Sequence, residues 1–215
     1  MLRTALLLAG LTLALTSQAQ GFKFPDENAD NNAEDEARKA KVQAQLSTPC
    51  RNSLKNQKIM VLIAESRNGV ISAKQSQYNQ HINTINDGLK ALGLKTYTQE
   101  QIRAQVAQAE IDAYFKNDPD AALGASKRLA ASYVLRGLIQ TEASRNLVVN
   151  VNQININMSF TLTGANGQVI SQTDASNASY AGSNVGSMAL ELVRESAQEV
   201  IGQLYSDYCK KAGKR

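Results

Sequence analysis

The 215-residue sequence is poor in the residues that most catalytic and metal-binding sites use. It has one histidine, two cysteines, three prolines and no tryptophan. Nucleophilic catalysis needs a nucleophile beside a base, and the single histidine, His81, has no evident serine or cysteine partner in the sequence. GxSxG, SxxK and HExxH motifs are absent, and no His, Cys and carboxylate residues recur at metal-ligand spacing. We therefore expect no catalytic residue, no metal site and no cofactor, although a pair of carboxylates from distant segments remains open.

An excess of charge of one sign is also missing. Lysine and arginine number 23 against 19 acidic residues, a formal net charge of +4, and removal of Arg3 with an export signal lowers it to +3. Binding to the phosphates of a nucleic acid depends on an excess of basic residues. This balance therefore predicts no nucleic-acid partner. Residues 211–215 form a small basic tail, which is typical of a solvated chain end.

Long apolar runs are absent except near the start of the sequence. Arg3 is followed by an apolar run over residues 5–15 and by the small residues that a signal peptidase reads at 16–19. The run is too short for a transmembrane helix. We predict that residues 1–19 are a cleaved signal peptide and that the mature chain has no transmembrane segment. Since no cysteine lies near the cleavage site for a lipid anchor, the predicted location is the periplasm or the medium.

The two cysteines, Cys50 and Cys209, are predicted to form a structural disulfide. Export brings them to an oxidising compartment. They flank the first predicted strand and the last predicted helix, and a redox-active CxxC pair is absent. Closing a loop of more than a hundred residues stabilises a protein by about 4 to 5 kcal/mol in the chain-entropy treatment.

Composition divides the rest of the chain into a leader and a domain. Residues 20–48 are polar and have too few apolar residues to bury a core, so they are predicted to be a flexible or helical leader, with helix from about Glu34. Residues 49–210 are predicted to form a single α/β domain, which is long enough for one sizeable core.

Apolar periodicity predicts the elements of this domain. Five strands are expected at residues 58–64, 94–97, 132–140, 147–163 and 168–180. Helices are expected at residues 74–92, after the capping box of Thr98 and Gln101, after Asp118, and at 185–208. The order of elements predicts an α+β fold, in a two-layer α/β arrangement: a mixed, mostly antiparallel sheet of about five strands with packed helices and a long C-terminal helix.

The stretch "NVNQININMSFTLTG" alternates amide and apolar side chains. Its period of two slips by one residue, which predicts a β-bulge near Asn152 and Gln153. The polar side chains then share one face of the strand: Asn155, Asn157, Ser159 and Thr161. Such a row is most often a solvated sheet face, and its second interpretation is an interface with a partner.

Two strand segments resemble a bacterial envelope family. One segment follows A-x-Y-V-L-x-G-x-I and the other G-x-V-I-S, with these residues: Ala131, Tyr133, Val134, Leu135, Gly137, Ile139, Gly167, Val169, Ile170 and Ser171. They are similar to the α/β domain of the lipoprotein activators of penicillin-binding proteins, the curli secretion channel subunit and a periplasmic flagellar assembly protein. The resemblance covers residues 58–208. The lipobox cysteine and the long transmembrane hairpins of some members are missing here.

The resemblance implies a non-catalytic domain that acts by protein contact. We therefore expect a periplasmic accessory protein with an unidentified envelope protein as its partner, in envelope or surface-appendage assembly such as that of flagella or curli. The oligomeric state stays open. The alternative is a secreted module that binds a small molecule or glycan in a concave pocket lined by Asn155, Asn157 and Tyr180.

Overall fold

The structure is a computed structural model that describes residues 27–67, 69–75, 79–148, 150–181 and 184–212. The predicted signal peptide lies outside these residues, as does the end of the basic tail. The helices are α1 (Glu27–Leu46), α2 (Arg51–Leu54), α3 (Asn79–Ala91), α4 (Gln99–Gln105), α5 (Gln108–Phe115), α6 (Pro119–Leu129) and α7 (Val185–Ala212). The strands are β1 (Lys58–Arg67), β2 (Val70–Ser72), β3 (Lys95–Thr96), β4 (Tyr133–Asn146), β5 (Val151–Gly164) and β6 (Val169–Ala181).

The strands form one open sheet in the order β2-β1-β4-β5-β6, with β3 paired to the start of β1. Strands β1 and β4 are parallel, whereas β4, β5 and β6 are joined by antiparallel hairpins. The sequence KIMVLIAESR of β1 is buried at all positions but its two ends. Its apolar run, residues 59–64, is what a strand needs when both of its faces are covered.

Helices cover the two faces of the sheet unequally. The core between the sheet and helices α3 and α7 draws on β1, β4, β5 and β6, and includes Ile63, Leu135, Ile156, Phe160, Ala175, Ile85 and Val200. A second core lies on the other face, under α4, α5 and α6, and its sheet residues come from β1 and β4 only: Met60, Leu62, Ala64, Val134 and the partly buried Leu138. Among the described residues, half of this second face therefore has no apolar cover.

Contacts of the final helix, α7, join the end of the domain to its beginning. Cys50 and Cys209 form the predicted disulfide, with their Cα atoms 5.6 Å apart. Tyr205 of α7 donates a hydrogen bond from its hydroxyl to the carbonyl of Thr48. Helix α1 runs parallel to α7, because Lys41 pairs with Glu199 and Gln45 pairs with Gln203 four residues further along both helices. Helix α1 includes Glu27, so the helical part of the leader starts earlier than Glu34, the residue expected from the sequence.

The predicted fold class is confirmed, with one strand more than expected. The extra strand, β2, pairs with the end of β1. Between β2 and β3 the edge of β1 is completed by a side chain, since the buried amide of Gln75 accepts from the N–H of Ile63 and donates to its carbonyl. These two hydrogen bonds replace the ones that a neighbouring strand would make.

The predicted β-bulge near Asn152 and Gln153 is wrong. Pairing between β4 and β5 continues without a break from Tyr133 and Gly164 to Asn146 and Val151. Leu147 and Val148 belong to the turn, so apolar residues there do not count in the strand pattern. The register shift lies at the other end of β5, between Leu162 and Thr163, where it faces β6.

Candidate interaction surface

The uncovered half of the second sheet face is the main candidate surface, and we call it the open face. It consists of side chains on β4, β5 and β6 that point away from α7. Those on β5 and β6 are exposed or half-buried. Its members are Gln140, Glu142, Gln153, Asn155, Asn157, Ser159, Thr161, Gln172, Asp174, Ser176 and Tyr180.

The polar residues predicted on β5 lie on this face. Asn157 and Ser159 are exposed, and Asn155 and Thr161 are half-buried. The intervening residues of β5, from Ile154 to Leu162, are buried at every second position on the α7 side. The alternation therefore fixes which way the amides point, because a slip by one residue would bury them.

Neighbouring strands add polar groups that the β5 pattern alone does not reveal. Gln140 and Ser176 lie opposite Asn157, and Asp174 lies opposite Ser159. The turn at Gly164 to Gly167 indicates the β5–β6 hairpin, so the β6 residues could have been placed from it. The β4 residues could not, because strands expected at residues 132–140 and 147–163 do not give the pairing of Gln140 with Asn157.

These side chains surround a shallow depression of about 380 Å³. Its lining includes Leu138, Gln140, Asn157, Ser159, Asp174 and Ser176. Of the three residues expected to line a ligand pocket, Asn157 lines this depression, whereas Asn155 and Tyr180 lie further along the strands. The depression offers amide donors and acceptors and one carboxylate.

Arg136 marks the border between the covered and the open halves of the face. Its guanidinium lies 5.5 Å from the ring centre of Tyr114 and 5.2 Å from that of Phe115, within cation–π range. It also donates to the carbonyl of Phe115 at 3.3 Å. Burial raises the pKa of the Tyr114 hydroxyl, against the opposing effects of Arg136 and of a hydrogen bond with Thr163. Helix α5 is thus held against β4 at this border.

Beyond the open face, β4 and β5 extend past the end of β1 to a hairpin turn with apolar side chains. Gln140 is the last residue of β4 that pairs with β1, and the strand continues to Asn146. Leu147 and Val148 of the turn are 85% and 93% exposed. Turns normally carry polar residues, so this apolar tip is a second feature available for contact.

Within the described residues the structure assembles no group of three or more His, Cys, Asp or Glu side chains that could hold a metal ion. In the same part of the chain, no helix has the length and apolarity needed to cross a bilayer. His81 is half-buried on α3.

Comparisons with known proteins find similarity of fold only. No protein-family model matches this chain, and neither does any curated protein. Solved structures that it resembles include the PelC dodecamer from Paraburkholderia phytofirmans, at 16% identity and a TM-score of 0.42, over 73% of this chain and 91% of that one. The hypothetical protein CT253 from Chlamydia trachomatis has 12% identity and a TM-score of 0.48, over 69% and 98%.

The C-terminal domain of LpoB from Salmonella enterica is also similar, with 16% identity and a TM-score of 0.39 over 63% of this chain and 91% of that domain. Identities at this level carry no information about activity, and the family suggested by the strand residues stays a resemblance.

Proposed function

We propose that the protein is a non-catalytic accessory protein of the bacterial cell envelope that binds another envelope protein through the open face. Residues 1–19 would direct its export to the periplasm, and residues 20–48 would be a leader to the domain. The observation that supports contact is the unequal covering of the sheet. Within the part of the chain that the structure describes, one face is buried along β1, β4, β5 and β6, whereas the other is buried along β1 and β4 only.

The composition of the open face suits recognition of a protein surface. Interfaces that form and dissociate are about as polar as the rest of a protein surface and carry roughly one hydrogen bond per 100 to 200 Å². Asn157, Gln140 and Ser176 supply donors and acceptors on three adjacent strands. Because the strands are held in register by the core on their other side, these groups are positioned before a partner arrives.

A second candidate function is binding of a small molecule or glycan in the depression. The observation that favours it is the convergence of Gln140, Asn157 and Asp174 on one hollow of about 380 Å³. A ligand that binds the folded state raises the melting temperature in proportion to the logarithm of its concentration. Thermal scans against a panel of oligosaccharides would therefore separate this function from protein contact.

The test of the proposal is the double substitution Asn155→Thr and Asn157→Thr. Threonine suits strands, so the free energy of unfolding should change by less than about 0.5 kcal/mol per site. A hydroxyl cannot replace an amide that both donates and accepts, so recovery of the partner should fall. The control changes Asn52 and Asn83, two exposed amides on helices α2 and α3, to threonine in the same way.

The measurement is crosslinking and pulldown from the native envelope, next to a melting curve of each variant. Loss of one specific crosslinked partner in the open-face variant, and not in the control, supports the proposal. Equal recovery with both variants at unchanged melting temperature would remove the open face as the interface.

A further inference from the structure

Strand β6 is a long sheet edge, and from Ser171 to Ala181 the described residues give it little of the usual protection against pairing. It has 13 residues, whereas β2 and β3 at the opposite side have three and two. Natural edges are commonly protected by lysine, proline, bulges or shortness. The sequence VISQTDASNASYA contains no lysine, arginine or proline, and its pairing with β5 is regular from Ser171 to Ala181.

Hydrogen bonds at both ends of β6 show which peptide groups point outward. The N–H of Ala178 donates to the side chain of Asn177 instead of to β5. The carbonyl of Val169 accepts from Lys211 at 2.9 Å. Successive peptide groups of a strand point to opposite sides. Asp174 and Ser176 lie four and two residues before Ala178. Their backbone N–H and C=O groups therefore point the same way as those of Ala178, outward from the sheet.

A groove lies between this edge and the C-terminal end of α7. It measures about 480 Å³ and is lined by Val169, Ile170, Ser171, Gln172, Asp207, Lys210 and Lys211. Val169 exposes 44% of its surface here. An edge strand beside a helix, with a groove between them, is the arrangement in which peptides add as an extra strand and place alternate side chains in the groove.

The charge at the groove is positive on balance. Both oxygens of Asp207 are already engaged, since Ser171 donates to one at 2.7 Å and Gln203 to the other at 2.8 Å. Lys210 is 67% exposed and its ammonium lies 3.8 Å from Asp207. Lys211 contacts a neutral carbonyl. A carboxylate that entered the groove would therefore meet two ammonium groups and one carboxylate that is already hydrogen-bonded.

We propose that the groove between β6 and α7 binds an extended, acidic segment of another protein, which adds as a strand to β6 and places a carboxylate beside Lys210 and Lys211. This β6–α7 groove adjoins the open face but uses other groups: the outward backbone of β6 and the two lysines of α7, instead of the side chains on the open face. Backbone hydrogen bonds supply the affinity at Gln172, Asp174 and Ser176, and the two lysines select the acidic residue.

A second copy of the chain fits the groove less well. The only carboxylate that β6 offers is Asp174. Antiparallel pairing of two β6 strands that brings Asp174 opposite Ile170 would pair residues 169–175 alone. The remaining edge up to Ala181 would stay unpaired, which favours a segment of a different protein over a second β6 strand.

The test uses phage-displayed random peptides of about eight residues, a length that covers most of the regular part of β6. We expect the selected peptides to alternate β-branched residues and to share an acidic residue. Ser176→Pro removes an outward N–H without removing a bond to β5, and should weaken their binding at least about tenfold. Ser176→Ala keeps the N–H and should bind as the unchanged protein does. Melting curves show whether the proline variant is folded.

The double variant Lys210→Gln and Lys211→Gln leaves the backbone unchanged, so it tests the proposal even if Ser176→Pro fails to fold. It should lose the preference for acidic peptides over their amide counterparts. The proposal is overturned if no peptides are selected, or if a folded Ser176→Pro variant or the double lysine variant binds them as the unchanged protein does. A dimer in sedimentation that Ser176→Pro abolishes would also overturn it. The Asn155→Thr and Asn157→Thr variant should bind the peptides normally, so failure of one proposal leaves the other standing.

Discussion

His81 is the single side chain whose protonation should govern stability near neutral pH. It is half-buried on α3. Burial lowers the pKa of His81 below its ordinary value of 6.5, and Arg67 acts in the same direction, whereas Glu65 opposes them. The folded state thus holds the proton less tightly than the unfolded chain does.

The expected result is a loss of stability on mild acidification. As pH falls through 6.5 toward the lowered pKa, the unfolded chain takes up the proton first, so the free energy of unfolding decreases. Urea denaturation of the protein and of His81→Gln at several pH values between about 5.5 and 7.5 measures this effect. Since the sequence has one histidine, the variant should show a flatter profile. Equal slopes for both proteins would contradict the prediction.

At the level of elements, two glycines allow close contacts that hold helices and strands together. Gly137 of β4 lies opposite Phe160 of β5, and a Cβ atom there would overlap three atoms of the buried ring. Gly88 of α3 lies against Ile201 of α7, where a Cβ would overlap the terminal methyl group. The ring is rigid, whereas the methyl group can move by rotation of its side chain.

Gly137→Ala should therefore destabilise the protein more than Gly88→Ala does. Overpacking a buried ring costs about 1 to 3 kcal/mol. In α3 the overlap is partly offset by the helix propensity of alanine, which favours it over glycine by about 1 kcal/mol. Chemical denaturation of both variants measures the difference. A larger loss for Gly88→Ala would show that the crossing of α3 and α7 is tighter than the contact between β4 and β5.

For the whole molecule, the disulfide joins the start of the domain to its last helix. Cys50 and Cys209 are 159 residues apart in sequence and lie beside the contact of Tyr205 with Thr48. The crosslink therefore restricts nearly the whole domain in its unfolded state. The contribution of the disulfide to stability adds to that of the hydrophobic core, which includes Cys209.

Removal of the crosslink should lower stability without changing the fold. The double variant Cys50→Ser and Cys209→Ser should lose several degrees of melting temperature, in line with a loop-closure term of about 4 to 5 kcal/mol. The purified protein should have no free thiol before reduction. A thiol assay and melting curves with and without reductant test this, and titratable thiols in the folded, exported protein would contradict it.

The sequence determined the features that depend on local pattern. The run KIMVLIA identified a buried strand, alternation placed Asn157 and Ser159 on the outer face, and the capping box of Thr98 and Gln101 forms as expected. The cysteine pair followed from its positions around the domain. Periodicity reports which side of an element is buried, and for these elements that was enough.

Tertiary structure decided what depends on contacts between distant segments. Gln75 completes the edge of β1, an arrangement that no local pattern encodes. The sequence could not show that α4, α5 and α6 stop short of β5 and β6, because the extent of a helical layer is set by how the helices pack. The open face results from this short helical layer, and the groove beside Lys210 results from the docking of α7 at the edge of β6. In both, strand pairing and helix docking bring together residues that the chain order separates.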